Sequence, residues 1–470
     1  MTKSGARMKY LAKNTFIFTL GNLGTKLISF FLVPLYTGIL AKEEYGTADL
    51  MVTVASFIVP ILICNINEAV MRFMLDKNAD SDSIISTGIM MLGIMCVFST
   101  VCIPLIKLYP PFKDCYLYVY FYFISSGFQS VLLYNLRGKE RLLAFSIGSI
   151  IHALSIALLN ILFLIAFKWQ LQGFLLSYIL GNVITAFYAA LAGNIFDSIR
   201  KFKIDKELTK AMLRFSVVLI PNSFMWWIMN SSDRVMLTAI SGIAVSGLYA
   251  VSSKIPSLVS MVSSIFNQAW NYSAIKEDES KDRDDYNNTV FTFLLAVTSM
   301  VSLFILLILK PFMKVYVSIS YYDAWKYSPP IIVGTAFLVL ATFLSSQYTV
   351  KKDSKGFLFS STAGAIMNII LNFVLIPIIG GLGAAIATGV SYLSVYLYRA
   401  VDTKKYFTVQ IFAFRNLIIY AIMLIGAFVV YFDGAICYVA LSLLTIVSIA
   451  LFHSELKSVS QMLRRRLIHK

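Results

Sequence analysis

Fourteen apolar runs follow one another along the chain, at 14–40, 49–70, 84–108, 116–136, 144–167, 173–193, 211–240, 244–270, 289–309, 329–350, 357–379, 383–399, 415–431 and 435–453. A helix needs about 20 apolar residues to cross a hydrocarbon core of about 30 Å. A soluble fold has no use for so many runs of that length. Composition agrees: 58% of residues are hydrophobic and 14% are charged, against about 45–50% and about 25% in soluble domains. The expected fold is an all-α integral membrane protein of about 14 transmembrane helices. Its connections are short: the longest, 271–288, holds 18 residues, the longest on the outer side runs from about Lys310 to Ser328, and Trp270 is expected in the aromatic belt of the inner interface.

The formal charge of +16 does not point to nucleic acid here, because the basic residues gather in alternate connections. With the N-terminus cytoplasmic, 29 Lys and Arg fall on the cytoplasmic side, Arg399 counted in a loop there with Lys404, Lys405 and Arg415, and seven fall on the other. Cytoplasmic loops collect such residues, and an even span count puts both termini in the cytoplasm. The run after Lys3, Arg7, Lys9 and Lys13 extends to Leu40, longer than a signal-peptide core, so it reads as an uncleaved first helix. The five cysteines have neither disulfide-framework nor metal-ligand spacing.

The chain repeats internally. Asn67-Glu68-Ala69 closes the second run and Asn267-Gln268-Ala269 the eighth. Asn160, followed by Gly173, matches Asn372, followed by Gly383. The offset spans six runs, and six is even, so the halves share orientation. Parallel repeats of this kind place the substrate path at their interface.

Three segments carry a family resemblance. They are Val33-Pro34-Leu35-Tyr36-Thr37, then Glu44-Tyr45-Gly46 with Asp49-Leu50, then Glu68 with Arg72-Phe73. Ser232-Asp233-Arg234 adds to them in the seventh run. This pattern resembles bacterial polysaccharide-biosynthesis flippases of the Wzx type, in the multidrug/oligosaccharidyl-lipid/polysaccharide exporter superfamily. The resemblance implies two parallel six-helix lobes around a central cavity, plus two C-terminal helices. The lobes would be 1–200 (helices 1–6) and 201–406 (helices 7–12), with helices 13–14 and a basic cytoplasmic tail at 407–470. It further implies alternating access in the bacterial inner membrane, with an undecaprenyl-pyrophosphate-linked oligosaccharide as cargo. Membrane lipids are the surroundings, and a polysaccharide polymerase and chain-length proteins are candidate partners.

Intramembrane charges are the first candidates for chemistry, since a Lys or Arg at a helix centre costs about 2.5–3.5 kcal/mol on insertion scales. Lys26, Lys254, Asp233 and Arg234 stand inside runs. Paired phosphates need several positive donors, so Lys26 and Lys254 are expected to meet pyrophosphate. Internal salt bridges or snorkelling are the alternatives. Asp233 and Arg234 are adjacent and should project to different faces, where they are candidate substrate or ion contacts or else lock helix packing. Asn22, Asn230 and Trp226 are candidate sugar contacts, although amides also join helices and a tryptophan also serves as bulk. Glu68 and Arg72, four apart on one helical face, form a candidate cytoplasmic gate or a plain ion pair.

Two D-x-D matches, Asp80-Ser81-Asp82 and Asp282-Arg283-Asp284, sit in short charged loops with no nucleotide-binding domain, and read as solvated charge. Gly21 to Lys26 lacks phosphate-loop spacing. The chain is therefore not expected to be an enzyme, and no catalytic residue, metal or cofactor is expected. Energy would come from a gradient, of H+ or Na+, or from downstream consumption of product. A multidrug or cation antiporter of the same superfamily would prefer acidic cavity groups. A membrane polymerase or glycosyltransferase would need a sizeable outer loop, and a flippase for the peptidoglycan precursor would share a cationic cavity.

Overall fold

Proline and glycine stand at several of the places where this chain stops being helical, among them Pro104, Pro221, Pro256 and Gly380. The computed structural model describes residues 24–76, 79–276, 280 and 282–453, and among the described residues it is helical without a strand. The chain divides into two compact units, Met1–Trp227 and Ile228–Lys470.

The first unit holds α1 (Gly24–Ile39), α2 (Lys42–Leu62), α3 (Ile66–Met74), α4 (Ser81–Val101), α5 (Ile103–Leu108) and α6 (Tyr116–Gly138). It continues with α7 (Leu142–Ala166), α8 (Gln170–Ala192), α9 (Ile195–Arg200), α10 (Lys206–Val217) and the first turns of α11 (Ile220–Ser241). The second unit holds the rest of α11, then α12 (Ile243–Ser252), α13 (Pro256–Lys276), α14 (Arg283–Tyr316), α15 (Ser328–Val350), α16 (Ser354–Asp402), α17 (Phe414–Val429) and α18 (Ala435–Leu451). Several spans are broken pairs: α2–α3, α4–α5, α10–α11 and α12–α13. α16 is the reverse case. Ile379 and Gly380 leave the helical region inside it, with Gly380 at φ +55°, so it contains two spans. The runs expected from the sequence are helical where described, apart from short breaks such as 63–65, 218–219 and 253–255.

The repeat is visible in the backbone. Glu140 and Lys352 have φ +56° and +57°, and Lys168 and Gly380 both have φ +55°. Each pair is 212 residues apart (352 less 140, 380 less 168), as are Asn160 and Asn372. Non-glycine residues rarely take positive φ, so the coincidence marks equivalent turns in the two units.

Lipid supplies no hydrophobic drive between helices, and close packing must do the work. In the first unit Val70, Leu92, Met95, Val131, Leu136, Ala189 and Met212 form a buried core. In the second, α15 and α16 meet at glycines: a Cβ on Gly334 would lie 2.5 Å from Gly389 Cα.

Four expectations are corrected. The connection 271–288 is no long loop, because α13 runs to Lys276 and α14 begins at Arg283. The outer connection after Lys310 is also folded. α14 continues to Tyr316, and a 3-10 segment, Ile319–Tyr327, buries Tyr321 and Trp325. Trp270, expected in an aromatic belt facing the bilayer, is buried within the protein: it stacks on Phe343 at 4.6 Å and its indole donates to Ser346 Oγ at 2.9 Å. Arg399 belongs to no solvated loop. It is fully buried in α16 and donates to Ser360 Oγ at 3.0 Å, to the Ala341 carbonyl at 3.0 Å and to Ser361 Oγ at 3.3 Å.

Candidate functional site

The polar centre of the second unit is built on a helix break that Pro256 imposes. Proline has no N–H and disfavours helical geometry in the residue before it. α12 therefore ends at Ser252, and Ser253–Ile255 form a turn before α13 resumes. The Ser252 carbonyl, which a residue-256 N–H would otherwise engage, instead accepts the Ser328 hydroxyl at 3.1 Å. Lys254 sits in that turn, its own N–H donating to the Val251 carbonyl at 3.1 Å. Broken helices are tolerated at membrane depth where they line a cavity, and this one does. A cavity of about 280 Å³ is lined by Asn230, Asp233, Arg234, Lys254, Tyr249 and Tyr392, among others.

Asp233 is 3% exposed, and a carboxylate so buried must be matched by donors. Tyr249 OH donates to its Oδ2, Thr388 Oγ1 donates to the same atom at 3.1 Å, and the Arg234 N–H donates to Oδ1 at 2.9 Å. The Arg234 guanidinium turns the other way and donates to Ser253 Oγ at 3.1 Å. Asn230 accepts from Tyr392 OH at 2.9 Å. Behind Thr388, Asn368 donates to Thr388 Oγ1 at 3.4 Å, and Asn372 donates to Asn368 Oδ1 at 2.9 Å.

Adjacent residues on a helix point apart, and Asp233 and Arg234 do part in their bonding. Both nevertheless line one cavity, because the α12–α13 break and α16 close around α11. Four residues expected from the sequence, Asn230, Asp233, Arg234 and Lys254, therefore meet. Two cations and one anion leave the site net positive. Its size lies at the low end of ligand pockets, about 300–1,000 Å³, which suits a phosphate-bearing group rather than a whole oligosaccharide. Among the described residues, no three His, Cys, Asp or Glu converge as metal ligands.

The other expected residues lie elsewhere. Lys26 is exposed on α1, and Trp226 is half-buried in the first-unit part of α11. Asn22 lies outside the described residues, as does the basic tail with Arg464, Arg465 and Arg466. Trp227 is a packing residue. It stacks on Phe57 at 4.6 Å and donates to the Thr53 carbonyl at 3.0 Å. Arg72 donates to Asp76 Oδ1 at 2.6 Å, and among the described residues it makes no ion pair with Glu68. His152 is hydrogen-bonded to Asn182 Oδ1 at 2.9 Å.

Tyr249, Thr388 and Tyr392 complete the site and were not singled out from the sequence. Hydroxyls in apolar runs commonly bond their own helix's carbonyls, so nothing in one run marks these as cross-helix donors. The motif tyrosines Tyr36 and Tyr45 pack together in the first unit, their rings 5.9 Å apart, with Phe174 4.8 Å from Tyr36.

Comparison with solved structures gives the same fold. The lipid II flippase MurJ in an inward closed conformation is similar at a TM-score of 0.67 and 15% identity, covering 97% of this chain and 100% of that one. An inward-facing multidrug resistance MATE family transporter of the MOP superfamily is similar at 0.63 and 13% identity, covering 82% and 94%. A MOP superfamily transporter from Pyrococcus furiosus, described as having a binding pocket of reverse polarity, is similar at 0.54 and 12% identity, covering 84% and 95%. No curated protein matches the chain. The model of the family described as polysaccharide biosynthesis protein matches residues 11–272, more than half of the chain, and with that match the chain belongs to the polysaccharide biosynthesis protein family and carries the fold of the MOP superfamily transporters.

Proposed function

We propose that this protein is a flippase. It moves an undecaprenyl-pyrophosphate-linked oligosaccharide repeat unit from the cytoplasmic to the outer leaflet of the bacterial inner membrane by alternating access. One observation carries the reading: Arg234 and Lys254 line a single cavity beside the amide of Asn230. Arg and Lys suit phosphate, and an amide and nearby hydroxyls suit sugar oxygens. The similar lipid II flippase supports a lipid-linked cargo.

In this reading Lys254 and Arg234 hold the pyrophosphate, and Asn230 meets the first sugar. Lys26, Asn22 and Trp226 remain candidate substrate contacts, with Asn22 outside the described residues, and Glu68 and Arg72 are candidates for the cytoplasmic gate. Asp233, which accepts the Arg234 N–H rather than its guanidinium, is the group through which an H+ or Na+ gradient would act. The inside-negative potential also helps, since one elementary charge moved through 100 mV is worth about 2.3 kcal/mol. Both termini are cytoplasmic, as the 29-to-seven distribution of Lys and Arg supports. A polymerase and chain-length proteins would act on the exported unit. The multidrug antiporter reading, which the transporter fold also admits, fits less well, because a cation cargo calls for an acidic cavity.

The test is lipid extraction from a deletion strain, with mass spectrometry and an assay of membrane sidedness. The expected result is a complete undecaprenyl-linked unit trapped on the cytoplasmic face, with surface polysaccharide lost. Complete units outside but unpolymerised would overturn the reading in favour of a polymerase. Unchanged lipids with new drug sensitivity would overturn it in favour of an antiporter.

A further inference from the structure

The first unit carries a second cationic feature, far along the chain from the motif residues. α10 is amphipathic. Met212 and Ser216 are fully buried, Leu208 and Leu213 pack on the unit's core, and Thr209 shares a hydrogen bond of 3.0 Å with Thr87 of α4. That face docks the helix. Four-residue spacing puts Lys206, Lys210 and Arg214 on another stripe, all exposed. The three line a groove of about 760 Å³ whose wall includes Met90, Val217 and Val218.

Two nearby cations are paired with carboxylates, and among the described residues these three are not. Arg200 meets Asp197 at 3.9 Å and Lys203 meets Asp80 at 3.4 Å. Among the described residues no carboxylate stands within ion-pair distance of Lys206, Lys210 or Arg214. Beside them, Phe202 is 49% exposed, Ile204 44% and Val218 72%. Unneutralised cations next to exposed apolar side chains suit an element at the lipid–water boundary, where long basic side chains reach headgroups and apolar ones reach acyl chains.

We propose that this groove binds one anionic phospholipid. Lys206, Lys210 and Arg214 take its headgroup phosphate, and Met90, Val217 and Val218 take the first methylenes of its chains. A soluble acidic partner would account for the charges and leave the apolar wall unexplained. A zwitterionic lipid carries its own cation beside the phosphate, which three basic side chains would repel. The proposal stands on this groove alone and is independent of the flippase reading. By holding the start of the seventh span at the interface, the lipid would make the protein's stability depend on the leaflet's charge.

The test uses the full-length protein, purified in detergent and titrated with phosphatidylglycerol, phosphatidylethanolamine or undecaprenyl pyrophosphate, with bound lipid read by native mass spectrometry. Detergent removes the question of leaflet, and transport is not measured, so failure here is separate from failure of the flippase reading. Near a charged surface each basic residue is worth about 1 kcal/mol. The Lys206→Gln/Lys210→Gln/Arg214→Gln variant should therefore lose at least about tenfold in phosphatidylglycerol affinity. A control removing the exposed cations Lys113, Lys168 and Lys314 should lose nothing, and Lys210→Gln alone, should the triple variant misfold, should show a smaller loss. Equal phosphatidylglycerol binding by variant and wild type overturns the proposal. So does equal binding of phosphatidylethanolamine by the wild type. Loss of undecaprenyl pyrophosphate with phosphatidylglycerol retained also overturns it and makes the groove a cargo site.

Discussion

The Tyr249 hydroxyl donates to the Asp233 carboxylate, and both side chains are buried, at 2% and 3% exposure. A charge this deep depends on each of its donors. The Tyr249→Phe variant removes one donor with little change of shape. It should cost about 1–3 kcal/mol, the range for a hydrogen bond to a charged group or a buried polar atom left unmatched. Thermal unfolding of the purified protein measures this. Thr388 shares the same carboxylate oxygen, so the double variant with Thr388→Val should lose more than either alone. A Tyr249→Phe protein as stable as wild type would mean that Asp233 is not held by this bond.

Lys254 and Arg234 should separate binding from stability. Lys254 lies in a turn and Arg234 is half-buried, so Lys254→Gln and Arg234→Gln should both fold. Each removes a charge-assisted contact to phosphate, worth about 1.5–3 kcal/mol, and transport should fall roughly ten- to hundredfold. Lys254→Arg should keep most of it. Surface polysaccharide restored by each variant in a deletion strain, at matched protein levels, is the measurement. Normal transport by the Lys254→Gln/Arg234→Gln variant would remove the cavity from the mechanism.

Much of this was legible in the sequence because membrane crossing imposes a single, strong pattern. Apolar length fixed the spans, and intramembrane charge singled out Asp233, Arg234 and Lys254. Their convergence could not be read, since it depends on the break before Pro256 and on α16 folding back at Gly380. Arg399 was misread for a different reason. Position in an apolar run tells depth but not facing, and a cation at a span's end looks like a loop residue until its acceptors are seen. Glu68 and Arg72 show the limit of spacing: Arg72 had a second acid four residues away, Asp76, and chose it.

Arg399 supports a prediction about stability rather than transport. Its guanidinium donates in three directions inside the helix pair and lies over the Phe357 ring at 5.1 Å. Arg399→Ala should cost about 2–4 kcal/mol, from unmatched acceptors and the cavity left behind. Arg399→Lys should rescue little, because an ammonium on a flexible stem cannot reproduce the planar fork. Unfolding midpoints of the three proteins in one detergent decide it. Full rescue by lysine would mean that only the charge matters.

Acid should weaken the protein through two helix caps that lie in connections. Ser83 donates to Asp80 from both its hydroxyl and its N–H, at 2.8 and 3.2 Å, and holds that carboxyl below its ordinary value, with Lys203 adding to the effect. The Gly356 N–H and the Tyr406 hydroxyl do the same for Asp353, at 3.0 and 2.6 Å. A carboxyl whose value is lower in the fold than in the unfolded chain stabilises the fold above the unfolded value. That contribution disappears as pH falls from the unfolded value, about 3.9, through the lower folded one. The unfolding midpoint should thus hold steady from about pH 7 to about pH 5 and drop below about pH 4. The Asp80→Asn/Asp353→Asn variant should start lower at neutral pH and show a shallower acid-side drop. Both carboxyls are solvent-accessible and screened, so the difference should be small and should shrink with added salt. An acid-side drop as steep in the variant as in the wild type would place the sensitivity in other carboxylates.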